Sequence, residues 1–270
     1  MSVPALQMPV PPRLPTEDDL PYEDGIPMES ARHFAQLELL IQTLLPWAIA
    51  RGDVAVGGNQ FVYFSGEQVR GRQFRGPDIY VVTGVRRRER KSWVVWEEGK
   101  GPDAVVELLS ESTAAFDKGE KRLVYQDQLR VPAYYWFDPF NPEDRAGFVL
   151  RGNRYRPLMR DVDGSLPVAV LGLKLALWEG EFDGIAAIWL RWADRDGLLP
   201  LPVEVASRRA AAAETRAAAE RLRADAEQAR AETERMRAQA ERERAEQAEQ
   251  ELARLRALLA GQGNPSPRKG

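Results

Sequence analysis

The chain has 270 residues, 44% of them hydrophobic, and a formal net charge of −3, enough for one sizeable domain with accessory segments. That charge excludes a bulk polyanion binder and confines any nucleic-acid surface to a local patch. No cysteine is present, which removes disulfides, thiolate zinc sites, iron–sulfur ligation and cysteine nucleophiles, and the single histidine, His33, excludes poly-imidazole centres. A catalytic metal would therefore rest mainly on oxygen ligands, which points to magnesium or manganese.

Residues 1–28 are dense in proline and acidic groups and read as a flexible, extended arm. The start lacks the basic end and continuous apolar core of a signal peptide. The longest apolar stretch, VAVLGLKLALW, is interrupted by Lys174 and is too short to span a bilayer. A soluble, cytoplasmic protein with no membrane partner is expected. Ser30 marks a helix start, and Phe34, Leu37, Leu40, Ile41 and Leu44 recur at helical spacing to form one apolar face.

DVAVGGNQFVYFSG then reads as a strand or bent hairpin, PDIYVVTGV as a second strand, SWVVW as a short extended piece and DAVVELLS as a further strand. A helix is predicted from about residue 117 to 129, with Leu123, Tyr125 and Leu129 as its buried contacts. AYYWFDPF is another strand, AGFVLRGNRYRPL a hairpin around Gly-Asn, and LPVAVLGLKLALWEG closes residues 29–203 with extended pieces. The order gives an α/β fold with mixed strand pairing.

Residues 204–260 change to Ala, Glu, Arg and Gln without glycine or proline, which predicts one long charged helix. Leu222, Ala226, Ala229, Thr233, Met236 and Ala240 step as a coiled-coil seam, followed by a stutter and then Leu252, Leu255 and Leu259. An alanine-rich seam is weak, so a homo-oligomer joined through this helix and a lone solvated helix both stand. Residues 261–270 read as a disordered tail.

Glu107 is the unusual residue, a carboxylate inside the apolar run Ala104–Leu109. Burying it without a partner is costly. Asp78 opens the strand after Gly76-Pro77, and inward positions of neighbouring strands alternate with period two, so the two acids can converge on one sheet face. Such a pair suits a hard divalent cation, with a lysine nearby to orient water or neutralise developing charge. Plainer readings exist for each residue. Asp78 suits a turn, Glu107 a salt bridge to arginine, and His33 a structural hydrogen bond.

Asp117 fits the helix N-cap, because Asp117-Lys118-Gly119-Glu120 has capping-box spacing. Lys121, placed in that first turn, would oppose the helix dipole. Lys91, Lys100, Lys118 and Lys121 are four of only six lysines in the chain, and they crowd the carboxylate region. Arg70, Arg72, Arg75, Arg86, Arg87, Arg88, Arg90 and Lys91 form a basic run that suits phosphate contacts or a solvated loop.

The successive motifs GPDIYVV, PDAVVELLSESTAAFDKGEKRLVYQ and LRVPAYYWFDP, within residues 26 to 200, resemble the Uma-type putative restriction endonuclease family of the PD-(D/E)XK nuclease superfamily. The resemblance implies an αβββαβ core and magnesium- or manganese-dependent endonuclease activity on DNA, leaving 5′-phosphates. It implies Asp78 and Glu107 as catalytic metal ligands, and His33 and Asp117 as supporting residues. The superfamily lysine belongs two positions after Glu107, where this chain has Leu109, and the resemblance implies that Lys121 supplies it from the following helix. The alternative is a catalytically weak nuclease-like module that binds DNA or protein and is oligomerised by its coiled coil.

Overall fold

The computed structural model describes residues 14–20, 30–65 and 76–262, and it divides into one unit up to Val205 and a second from Ala206. In the first unit, helix α1 (Ala31–Arg51) starts at the N-cap Ser30, whose hydroxyl accepts from the His33 amide at 3.2 Å. Its C-terminus closes on Gly52 at φ 77°, the left-handed conformation that glycine adopts without strain.

Strands β1 (Val54–Gly58), β3 (Ile79–Thr83), β5 (Ala104–Leu108), β6 (Ala133–Phe137), β7 (Arg145–Arg151) and β8 (Arg154–Pro157) form a six-stranded sheet in the order β1-β3-β5-β6-β7-β8. Only β5 and β6 run parallel, and a helical crossover joins them. The short strands β2 (Val62–Tyr63) and β4 (Trp93–Val94) pair with each other, and a helical turn α2 (Val95–Glu98) follows. The sequence of helix, three main strands, helical crossover and strand is the expected αβββαβ order. The fold is a mixed α/β architecture.

The crossover comprises α3 (Ala114–Phe116), a π-helical turn over Asp117–Lys121, and α4 (Arg122–Asp127). It starts earlier than expected. Ser110 and Thr113 initiate it through a hydroxyl turn in which Thr113 N–H donates to Ser110 Oγ at 3.1 Å. Asp117 is therefore an interior residue rather than the N-cap, and Lys121 does not lie in a first turn opposing the dipole. Leu123, expected inside, is 47% exposed.

The two faces of the main sheet differ. One face carries Ile79, Val81, Ala104, Val106, Leu108, Ala133, Tyr135 and Phe137, packed against Leu37, Leu40, Leu44 and Ala48 of α1. A second sheet closes that layer, with β9 (Leu166–Val168), β10 (Leu173–Phe182), β11 (Ile185–Asp194) and β12 (Gly197–Leu198) in the order β12-β11-β10-β9. The ten-residue hairpin β10–β11 was not anticipated, although its Asp183-Gly184 turn, with φ of 50° and 72°, is a typical hairpin signal.

This second sheet also explains why Phe34 is 54% exposed, contrary to expectation. Helix α1 buries a second stripe, Ala35 and Leu39, against Trp189. Gln36 clamps it to β11 by donating to Leu190 O at 2.8 Å and accepting from Leu190 N at 2.9 Å.

The other face of the main sheet carries Tyr80, Val82, Val105, Tyr134 and Phe148, covered by Tyr125 of α4. Gly57 sits opposite Tyr80, where a Cβ would lie 2.2 Å from the phenol ring. Only glycine permits that packing.

The second unit is helical. Helix α5 runs from Pro202 to Gln262. Its described side chains from Ala206 onward are exposed, with Leu222 at 71% and Met236 at 72%. Leu259, the last expected seam residue, lies outside the described side chains, and residues 263–270 outside the described residues.

Candidate active site

Asp78 and Glu107 meet through strand register. The antiparallel pair Ile79↔Val106 continues to Asp78 opposite Glu107, on the face that carries Tyr80 and Val105. Asp78 Oδ2 accepts the Leu108 amide at 2.7 Å, and the Asp78 amide donates to Glu107 Oε2 at 3.3 Å. Two carboxylates facing each other across a strand pair repel.

Lys121 supplies part of the compensation. From the π turn its Nζ donates to Glu107 Oε2 at 2.7 Å and lies 3.1 Å from Asp117 Oδ1. Leu109 is fully buried, and the amine on Glu107 comes from the crossover. π turns inside helices recur at functional sites, and here one places Asp117 and Lys121 side by side above Glu107.

Charge is still unbalanced, with three carboxylates facing one ammonium. Glu107 is 0% exposed, and its carboxylate meets Asp78 and the Tyr125 hydroxyl as well as Lys121. Burial raises its pKa to about 8 against the pull of Lys121. Asp78 is also pushed upward, first by burial. For Lys121, burial acts downward but is outweighed by Glu107, Asp117 and Asp78, so the ammonium is favoured.

The donor set fits a hard cation. It consists of carboxylate oxygens, fully buried at Glu107, in a pocket with surplus negative charge. Asp78 and Glu107 are the residues that could hold such an ion. Among the described residues no group of three or more His, Asp or Glu side chains is gathered for metal binding, and Asp117 is turned toward Lys121. The ion's remaining positions would fall to water and substrate oxygens.

His33 is a brace. Its Nε2 donates to Leu109 O at 2.7 Å, its Nδ1 faces Ser30 Oγ at 2.8 Å, and the ring is 5% exposed. It ties the start of α1 to the end of β5, next to Glu107. Tyr134 acts similarly from below, its hydroxyl donating to Asp117 O at 2.8 Å.

Sequence reasoning placed Tyr125 only in the core. Its fully buried hydroxyl lies against Glu107, and its pKa is raised by burial and then by the charge of Glu107. A hydroxyl-bearing aromatic four residues after Lys121, on the helix that covers a carboxylate-bearing strand, was the available signal.

The other lysines disperse. Lys118 pairs with Asp144, Lys100 with Asp103 at 2.8 Å, and Lys91 with Asp18 at 2.7 Å, leaving Lys121 as the lysine of the site. Arg70, Arg72 and Arg75 lie outside the described residues. In the loop after β3, Arg86 and Arg87 are exposed, whereas Arg88 contacts Glu17 at 2.9 Å and Glu98 at 2.7 Å. Arg90 is paired with Glu98 at 2.6 Å. The loop leaves β3 at the end opposite Asp78 and returns toward Tyr80 through Gln60, which donates to Arg90 O and accepts from the Tyr80 hydroxyl.

Among solved structures the chain is similar to a crystal structure described as a putative nuclease belonging to DUF820 from Anabaena variabilis. That likeness has 18% identity, covers 58% of this chain and 90% of that one, and has a TM-score of 0.39. No match is found among curated proteins. The family model Uma2, described as "Putative restriction endonuclease", matches residues 6–178, which include every residue of the site. The chain belongs to the Uma2 family.

Proposed function

We propose that this protein is a divalent-metal-dependent DNA endonuclease whose working residues are Asp78, Glu107 and Lys121. The observation that carries this reading is the fully buried Glu107 carboxylate facing Asp78, in a pocket where Lys121 is the one ammonium against Glu107, Asp78 and Asp117. Proteins do not leave such a group uncompensated without cause.

When bound, magnesium or manganese supplies positive charge to phosphoryl oxygens and lowers the pKa of its water. Asp78 and Glu107 are the residues that would hold the cation next to the phosphodiester. Asp78 is kept in place by the Leu108 amide, which donates to its Oδ2. Lys121, held by Glu107 and Asp117, presents its ammonium beside the reacting phosphate as a hydrogen-bond donor and a fixed positive charge. His33 and Tyr134 secure the backbone of the two elements that carry these groups.

A plasmid-nicking assay with magnesium tests the reading. Nicking is expected with wild-type protein, and is expected to vanish with chelator, with Asp78→Ala and with Glu107→Ala. Nicking that persists in both variants would refute the site.

A second reading, a binding module without turnover, is favoured by one observation. Among the described residues only two carboxylates face each other without a third donor side chain joining them. It predicts DNA binding with no heat on titration with manganese.

A further inference from the structure

The basic loop between β3 and β4 is covered by an acidic segment from the N-terminal part of the chain. Residues Thr16–Asp19 form a tight turn, closed by Thr16 N and Oγ1 donating to Asp19 Oδ2, both at 2.9 Å. The turn lays Glu17 and Asp18 on the loop. Glu17 Oε1 accepts from Arg88 at 2.9 Å, and its Oε2 accepts from the Lys91 amide at 3.1 Å. Asp18 accepts from Lys91 Nζ at 2.7 Å.

Two anchors fix the segment on either side of these acids. Trp96 Nε1 donates to Pro15 O at 3.0 Å, and Leu20 is buried with Phe61, Tyr63 and Val94. The Lys91–Asp18 pair is exposed, at 56% and 75%, and Arg88, 44% exposed against 21% for Glu17, also holds Glu98 at 2.7 Å. Exposed pairs contribute little to folding and exchange readily. The structural arginine of this loop is a different one, Arg90, whose pairing with Glu98 is buried at 6% and 11% exposure.

We propose that Glu17 and Asp18 act as an intramolecular competitor of nucleic-acid phosphates. They occupy Arg88 and Lys91 until a phosphate backbone displaces them. The inference rests on the reading of the protein as a DNA-binding nuclease, and it assigns that surface a built-in regulator. Carboxylates at hydrogen-bond distance from an arginine and a lysine satisfy the same donors that phosphate oxygens would. Displacing them lowers apparent affinity without altering the carboxylate site.

The test is fluorescence anisotropy of the full chain with a short labelled DNA duplex in chelator, so that no cleavage intervenes, over a range of salt. The Glu17→Gln, Asp18→Asn variant is expected to bind roughly 3- to 10-fold more tightly at low salt, with the slope of log K against log salt steeper by about 1 to 2. Leu20→Ala, which releases the anchor but keeps every charge, is expected to shift affinity the same way. A control that removes two exposed acids elsewhere, Glu179→Gln with Glu181→Gln, is expected to leave the slope unchanged. Adding Arg88→Ala and Lys91→Ala to the first variant is expected to erase its gain.

Equal or weaker binding by the Glu17/Asp18 variant, including no binding by either protein, overturns the proposal, as does an equal gain in the control. The nuclease reading is decided separately, by plasmid nicking in the Asp78 and Glu107 variants.

Discussion

The two faces of strand β5 are the instructive contrast. Ala104, Val106 and Leu108 point to a layer made of aliphatic and aromatic side chains with α1 and the second sheet behind it. Val105 and Glu107 point the other way, to a layer of phenols and charges closed by a π turn. Every residue of the strand is buried, so burial alone does not separate them. The difference lies in what each side chain meets. One face is complete as it stands, whereas the other leaves buried carboxylate charge incompletely compensated, with Lys121 alone against Glu107, Asp78 and Asp117. That incompleteness is what a ligand-binding site requires of a folded chain, at a cost in stability.

The largest expected effect breaks the contrast at one residue. Glu107→Gln should abolish magnesium-dependent nicking while the protein stays folded, because Lys121 retains Asp117 as partner. Val106→Ala, one residue away on the opposite face, should keep activity per folded molecule and lower stability by roughly 2 kcal/mol through lost burial and a cavity. Denaturant midpoints measured beside nicking rates check both. Loss of activity in Val106→Ala at full folding would merge the two faces.

Next in size is the pH dependence of the metal-free protein. Glu107 titrates at about 8 in the folded chain, above its ordinary value of 4.5, so the folded state binds the proton more tightly than the unfolded state. The stability this contributes is fully present below 4.5 and is lost as pH rises through about 8. The slope for one proton is at most about 1.4 kcal/mol per pH unit. Chelated wild type should therefore unfold more easily at pH 9 than at pH 6, and Glu107→Gln should show a smaller difference. Thermal unfolding at several pH values measures it.

Tyr125→Phe sharpens the contrast more gently. It removes the buried hydroxyl that lies against Glu107 and keeps the ring, so folding should change little while nicking falls by about 10-fold, in the range of groups that support a metal ligand. Rates unchanged from wild type would make Tyr125 simple core. The smallest effect is expected from ending the chain near residue 205, which should leave nicking intact and, if the Leu222–Met236 stripe pairs with a second copy, reduce the sedimenting mass from dimer to monomer. Equal monomeric masses would exclude the coiled coil.

Much of this was legible in the residues. Asp78 and Glu107 announced themselves because a carboxylate amid Val and Leu has few explanations, and period-two alternation puts both on one face. The role proposed for Lys121 came from family resemblance, since no local rule says that a lysine fourteen residues later reaches back to a strand.

Other features escaped for physical reasons. Asp117 satisfied a capping pattern, but Ser110 and Thr113 satisfied the need for hydroxyls earlier and started the helix there. The apolar stripe of α1 was placed partly wrong because the helix is covered on two sides, which a one-face pattern does not encode. The basic run is continuous in sequence, yet folding divides it. Arg90 is used for structure, Arg88 and Lys91 meet an acidic segment from some seventy residues earlier, and Arg86 and Arg87 are exposed.

The most direct test of the central claim is calorimetric titration of the full chain with manganese at pH 7 in two buffers of different ionisation enthalpy. The account predicts one site that involves Asp78 and Glu107, with close to one proton released per cation because Glu107 titrates at about 8. Binding should be lost in Glu107→Gln. A silent titration of the wild-type protein, or an unchanged isotherm in Glu107→Gln, would contradict it.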